Sequence, residues 1–183
     1  MFPVSLEENL TLHLLDASDA TELLTVLDEN RLWLRRFLGW LDNSTEVANT
    51  EDFIARSLKQ YEQALGFQLG IRANDQLVGI IGLQDLSTLN RSIRIGYWLA
   101  ESATGQGFMT RACRWAINYA IDSLNVHRIE IRASPRNVAS AAIPKRLGFT
   151  LEGTQRDAEW LYDHFEDLQI FGMLAPEWST IDS

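Results

Sequence analysis

Residues 95 to 110 constrain this chain more than any other stretch. Ile95-Gly96-Tyr97-Trp98-Leu99 reads as a strand, and after a short link Thr104-Gly105-Gln106-Gly107-Phe108-Met109-Thr110 opens the strongest helical pattern in the sequence. That pattern runs from Thr104 to Leu124 and puts Phe108, Ala112, Trp115, Ala116, Tyr119 and Ala120 on one face. Gly105 and Gly107 remove Cβ atoms just where the helix begins. The first helical turn offers unpaired N–H groups and a partial positive charge. Such a place suits a pyrophosphate, and it suits a plain tight turn equally well. It is not a dinucleotide fingerprint, because G-x-G-x-x-G is absent, and it is not a P-loop, because no Gly-Lys-Ser/Thr follows.

The remaining pattern alternates strands and helices. Leu10 to Leu14 is strand-like, and Asp16 or Ser18 caps a helix bearing Ala20, Leu23, Leu24 and Leu27. An aromatic and basic run, Asn30 to Leu41, precedes a second helix that starts at Thr45 or Thr50 and carries Phe53, Ile54, Leu58 and Tyr61. Phe67–Ile71, a turn at Asn74-Asp75, and Leu77–Leu83 form a hairpin, and Ser92–Leu99 adds a strand. After the long helix come a strand at His127–Ala133, a short helix ending at Leu147-Gly148-Phe149, and strands near Thr150–Gln155 and Leu168–Leu174. The order implies one α/β domain over residues 1–183, a mixed sheet with helices on its faces.

Charge and cysteine usage narrow the function. With 16 Lys and Arg against 25 Asp and Glu, the net charge is −9, so the basic footprint of a duplex nucleic-acid binder is missing. An acidic surface attracts cationic partners, amines included, and also serves simple solubility. No stretch reaches the ~20 apolar residues of a membrane span, and the N-terminus has neither the basic start nor the apolar run of a signal peptide. The single Cys113 fits a reducing, cytoplasmic setting and lies in a helical pattern as a core thiol. His13, His127 and His164 are too far apart to suggest a metal site.

A second informative segment runs from the strand ending at Ala133 through Asn137 and Ser140. Either Asn137 or Ser140 can cap the short helix. Pro144, four residues after Ser140, has no N–H, so the Ser140 carbonyl lacks its helical partner and is left open to a ligand or water.

Taken in order, these pieces resemble the GNAT superfamily of N-acetyltransferases, and within it the RimJ/RimL-type group that includes the ribosomal-protein-serine N-acetyltransferases. The likeness spans nearly the whole chain. It rests on Glu29-Asn30-Arg31 with Trp33-Leu34-Arg35-Arg36-Phe37 and Trp40-Leu41, on Gly96-Tyr97-Trp98-Leu99, on Gly105-Gln106-Gly107 with Thr110, on Asn137 with Ser140, and on Leu147-Gly148-Phe149 with Glu152-Gly153. The resemblance implies a mixed, mostly antiparallel, twisted sheet of about seven strands flanked by helices and splayed between its fourth and fifth strands. It implies acetyl-CoA as cosubstrate and direct transfer with no covalent enzyme intermediate. The pantetheine arm would lie in the splay, pairing like an extra strand. A backbone N–H near Trp98 or Leu99 would meet the acetyl carbonyl. The amides of Thr104, Gly105, Gln106, Gly107, Phe108, Met109 and Thr110 would hold the pyrophosphate, and Asn137 and Ser140 would contact the arm.

The chain departs from the group in places. Thr104 and Met109 stand where the superfamily loop begins with Arg or Gln and ends in Gly or Ala, and Pro144 stands where many members carry a tyrosine that protonates the leaving thiolate. Arg111 and Arg114 could support the phosphates or lie in solvent. The resemblance points to Glu159 as the base, with Asp157 as rival, and Ser140 could hold a water between Glu159 and the amine. An N-terminal α-amine, with a pKa of roughly 8, needs only a modest base, whereas a lysine near ~10.4 is harder to deprotonate. Arg31, Trp33, Arg35 and Trp40 are candidates for the acceptor groove. The implied acceptor is a ribosomal protein N-terminus. The alternatives are a small amine (an aminoacyl conjugate, a polyamine or an antibiotic) and a non-catalytic CoA-binding module. Homodimerisation is a further expectation from the group.

Overall fold

The computed structural model describes residues 2–181; Met1, Asp182 and Ser183 lie outside the described residues. Among these, eight strands form one sheet: β1 (Val4–Glu7), β2 (Leu10–Leu14), β3 (Phe67–Ala73), β4 (Gln76–Ser87), β5 (Ser92–Leu99), β6 (Arg128–Ala133), β7 (Thr150–Leu161) and β8 (His164–Leu174). Their spatial order is β1-β2-β3-β4-β5-β6-β8-β7. Every neighbouring pair is antiparallel except β5 with β6. The strand beyond the seven expected is β1, a four-residue edge piece held by its register with β2. The last two strands run well past Gln155 and begin well before Leu168. A register shift between Gln155 and Glu159 breaks the period-two pattern there, so sequence alternation hides their full length.

Six helices cover the sheet: α1 (Ala20–Glu29), α2 (Arg31–Leu34), α3 (Val47–Glu62), α4 (Phe108–Asp122), α5 (Val138–Arg146) and α6 (Ala175–Ile181). Asp16 caps the 3-10 turn that leads into α1, and Asp19 reciprocates. The start of α3 differs from either threonine expected. Glu46 caps it reciprocally with Asn49, while Thr50 is buried and its hydroxyl donates to the Ala20 carbonyl at 2.8 Å. Helix α4 begins at Phe108 rather than Thr104, because Gly107 at φ +79° turns the chain before the first helical residue.

Two apolar cores sandwich the sheet. On one side α4 lays Ala112, Ala116 and Ala120 against Ile93, Ile95, Ile129 and Ile131. Small residues let helix and sheet approach closely, and each buried Ile or Leu contributes about 1.5–3 kcal/mol. Cys113 is wholly buried in this core, and its thiol pKa is pushed up by desolvation, as expected of a structural cysteine. On the other side α1 and neighbouring segments pack Leu23, Leu27, Leu34, Leu41 and Ile54 against Leu77 and Ile80.

The sheet opens at its centre. β5 pairs with β6 only from Ser92–Ile95 to Arg128–Ile131, so Gly96–Leu99 and Arg132–Ala133 part company, and α5 begins just beyond that gap.

Candidate active site

The opening between β5 and β6 is flanked by two cavities of about 460 and 480 Å³. Both are walled by Phe37, Leu38, Tyr97, Trp98, Asn137 and Ser140, so they meet at the splay. One reaches the glycine turn at Gly105 and Gly107, and the other reaches Glu159. Two compartments that meet at a gap between strands can bring two ligands together at one point.

The glycine compartment is shaped by backbone. Gly105 and Gly107 have φ of +75° and +79°, a region that side chains rarely occupy. The first rung of α4 is Arg111 N–H to the Gly107 carbonyl at 3.1 Å. The amides from Gly105 to Thr110 therefore precede the ladder, and none finds an acceptor among the described residues. Around them the turn is braced: Thr104 Oγ1 donates to the Glu101 carbonyl (2.7 Å), Gln106 Nε2 to the Ser102 carbonyl (3.0 Å), and Arg146 Nη1 to Thr110 Oγ1 (2.8 Å). Thr104, Phe108, Met109 and Thr110 line the compartment, while the Gln106 side chain turns away from it. Arg111 lines it too, donating to the Gln106 carbonyl and pairing with Glu7; Arg114 lies over the Trp178 ring and is not part of the wall.

The edge of β5 supplies polar groups to the gap. Ala100 N–H bonds to Val78 O at 2.8 Å, on the β4 side. Backbone groups alternate sides along a strand, so the Trp98 amide also faces β4 while the amides of Tyr97 and Leu99 face the gap. The Leu99 carbonyl accepts from Trp33 Nε1 at 3.3 Å on that same side, away from β4, so the Leu99 N–H points into the opening beside it.

Asn137 caps α5, accepting the Ser140 N–H at 3.1 Å. The Ser140 carbonyl is not left open as the sequence suggested. Tyr97 Oη donates to it at 3.0 Å, filling the place of the N–H that Pro144 lacks. Burial raises the Tyr97 pKa well above the usual phenol value, keeping it a donor. Ser140 lies in the wall of both compartments.

In the other compartment the β7 bulge between Gln155 and Glu159 contains Asp157 at φ +49° and re-aims the strand. Glu159 lines the cavity, whereas Asp157 does not. The Glu159 carboxyl opens to solvent on one side, yet crowding by protein on the other raises its pKa from the usual value, and the Arg94 guanidinium partly opposes that rise. Its direct cross-strand neighbour is Glu166, 5 % exposed. Two carboxylates so placed repel. Glu166 is compensated by Ser134 Oγ (2.6 Å), by the Arg136 guanidinium and by His164 Nε2 (3.0 Å), so Glu159 is the carboxylate free to serve a ligand.

The aromatic and basic run divides. Trp33 lines the glycine compartment and Trp40 the carboxylate one. Arg31 and Arg35 line neither. Arg31 donates to the Leu41 and Ser44 carbonyls (2.9 and 2.8 Å) and pairs with Asp28; Arg35 pairs with Asp42 and stacks on Tyr162, 3.8 Å from the ring centre. Reading the sequence assigned no role to Gln68, Gln84, Arg94, Ser134 or Glu166, all of which line the carboxylate compartment. One trace of them was available: Gln68 interrupts an otherwise apolar strand pattern.

Comparison with known proteins agrees with this geometry. Residues 9–150 match the acetyltransferase (GNAT) domain family. The chain is 34% identical to "Putative ribosomal N-acetyltransferase YdaF" of Bacillus subtilis (strain 168), over 97% of this chain and 98% of that protein. It is 27% identical to the ribosomal-protein-serine acetyltransferase of Escherichia coli (strain K12), over 93% and 96%. The solved structure of the microcin C7 self-immunity acetyltransferase MccE, in complex with acetyl-CoA and AMP, superposes with a TM-score of 0.90 at 25% identity, over 94% and 96% of the two chains.

Proposed function

Since the chain belongs to the acetyltransferase (GNAT) domain family and is an acetyl-CoA-dependent N-acetyltransferase, we propose that it acetylates the N-terminal α-amine of a protein, a ribosomal protein in the cytoplasm. The observation that carries this reading is the pair of compartments meeting at the β5–β6 splay, one ending in a glycine turn of open amides and the other in Glu159. The name of the Escherichia coli relative, a ribosomal-protein-serine acetyltransferase, supports the acceptor class.

On this reading the amides from Gly105 to Thr110 hold the cofactor pyrophosphate. The pantetheine arm lies along the open edge of β5 beside Asn137 and Ser140, and the Leu99 N–H receives the acetyl oxygen as it becomes negative. Glu159 takes a proton from the acceptor ammonium, directly or through a water held at Ser140. The freed amine nitrogen attacks the thioester carbonyl carbon, the C–S bond breaks, and the thiolate leaves, taking its proton from water or a neighbouring group, since Pro144 occupies the place of a tyrosine acid. Trp33 and Trp40 line the approach. Arg31 and Arg35 act on the acceptor only through the loop that they brace. The 183 residues work as one domain, and a homodimer, with a mass near twice 20.8 kDa in sedimentation, is part of the reading.

Incubation with acetyl-CoA and ribosomes, set beside a panel of small amines, tests the proposal by mass spectrometry. Acetylation at a ribosomal protein N-terminus is expected. Acetylation of a polyamine or aminoacyl conjugate alone would overturn it, and absence of thiol release with every acceptor would leave only CoA binding.

A further inference from the structure

The carboxylate compartment contains a polar side chain that the mechanism above does not use. Gln68, on β3, is 7 % exposed and lines the cavity. Its backbone N–H bonds to Ser57 Oγ, but its carboxamide has no hydrogen-bond partner among the described residues. Its polar atoms are instead reachable from the cavity, so water or a ligand can take the bonds that the protein does not supply.

The sheet makes room for it. Gly82, directly across from Gln68, lies under that carboxamide: a Cβ at Gly82 would stand 2.1 Å from Gln68 Oε1. One strand further, Gly96 lies under the Gln84 carboxamide, whose Nε2 would be 3.6 Å from a Cβ there. Gln84 also lines the cavity and also has no side-chain partner among the described residues. Gly82 and Gly96 are paired in register, so the two glycines make a floor on which the two carboxamides lie side by side. The glycines beneath the carboxamides are about one strand spacing apart, ~4.8 Å.

We propose that Gln68 and Gln84, lying on the Gly82–Gly96 floor, bind the first peptide groups of an extended acceptor in the carboxylate compartment, which makes this a site for polypeptide N-termini rather than for isolated amines. Each carboxamide offers a donor and an acceptor, the complement of a peptide group. A polyamine would need a second carboxylate for its second ammonium. Glu166 is already engaged by Arg136 and Ser134, and the other charged groups at the wall besides Glu159 are Arg94 and Arg132, paired with Asp85 and Glu130. This inference rests on the peptide-acceptor reading and names the residues that enforce it.

The test compares a serine-initiated tripeptide amide with serinamide as acceptors for the wild type, Gln68→Leu and Gly82→Ala, with thermal melts of all three. In Gln68→Leu the tripeptide kcat/KM is expected to fall about tenfold, the equivalent of one good hydrogen bond, through KM. Serinamide turnover and the acetyl-CoA KM should hold. The melting temperature should hold, since the carboxamide bonds to no protein group among the described residues. Gly82→Ala, which displaces the carboxamide, should reproduce the tripeptide defect. Equal tripeptide kinetics in wild type and Gln68→Leu would overturn the inference while leaving the acceptor reading intact. A lowered melting temperature with both acceptors equally impaired would show a packing role and overturn it as well. A wild type that acetylates no peptide but does acetylate small amines would remove the acceptor reading itself.

Discussion

Tyr97 Oη donates a hydrogen bond to the carbonyl of Ser140 across the splay, 3.0 Å away, and that carbonyl is the one Pro144 leaves without a helical partner. A side chain on β5 thus completes the first turn of α5 and holds a residue that lines both compartments. At a half-buried carbonyl such a bond is worth about 0.5–1.5 kcal/mol. Tyr97→Phe is therefore expected to destabilise the fold by about that amount and to lower turnover through Ser140. Pro144→Ala, by restoring the N–H, should recover part of the loss in the double variant. Urea melts around the double-mutant cycle measure the coupling, and strict additivity would count against the link.

Glu159 carries a raised pKa because desolvation outweighs the attraction of Arg94. A base works deprotonated, so activity should fall as pH drops through a value above the ordinary ~4.3 of glutamate. Removing the opposing cation in Arg94→Gln should move that acidic limb to higher pH. Glu159→Gln should lower kcat and leave acetyl-CoA affinity unchanged. The kcat–pH profile, with calorimetry for the cofactor, checks all three.

Gly107 occupies φ +79°, a conformation that a β-branched residue resists. A Cβ there would also stand 2.5 Å from the Arg111 guanidinium, which would have to swing away from the turn. Gly107→Val is expected to strain the backbone by ~1–3 kcal/mol and to weaken acetyl-CoA binding about tenfold or more in calorimetry.

Arg31 braces the loop between α2 and α3 through the carbonyls of Leu41 and Ser44. In Arg31→Ala both lose a charge-assisted donor, and a stability loss of ~1–3 kcal/mol is expected. The acceptor KM should rise only in proportion to the loosening of that loop. Denaturation alongside acceptor titration separates this from a direct contact, which would raise KM in a fully stable protein.

Some of this molecule was written in local pattern. The glycines at 105 and 107 announce a turn that only they make without strain, and the apolar face of α4 follows from its spacing. Asn137 and Asp16 cap where short polar side chains cap. Each depends on residues within a few positions of one another, so the order of amino acids determined it. The Tyr97–Ser140 bond, the compensation of Glu166 by Arg136 and Ser134, and the approach of Gln68 over Gly82 join residues 14 to 43 positions apart. Strand pairing and register brought them together, and a bulge in β7 aimed Glu159 into the cavity. Backbone preference is local, whereas the company a side chain keeps across a sheet is fixed only when the sheet has closed, so the glycine turn was legible in the sequence and the wall around Glu159 was decided by the tertiary structure.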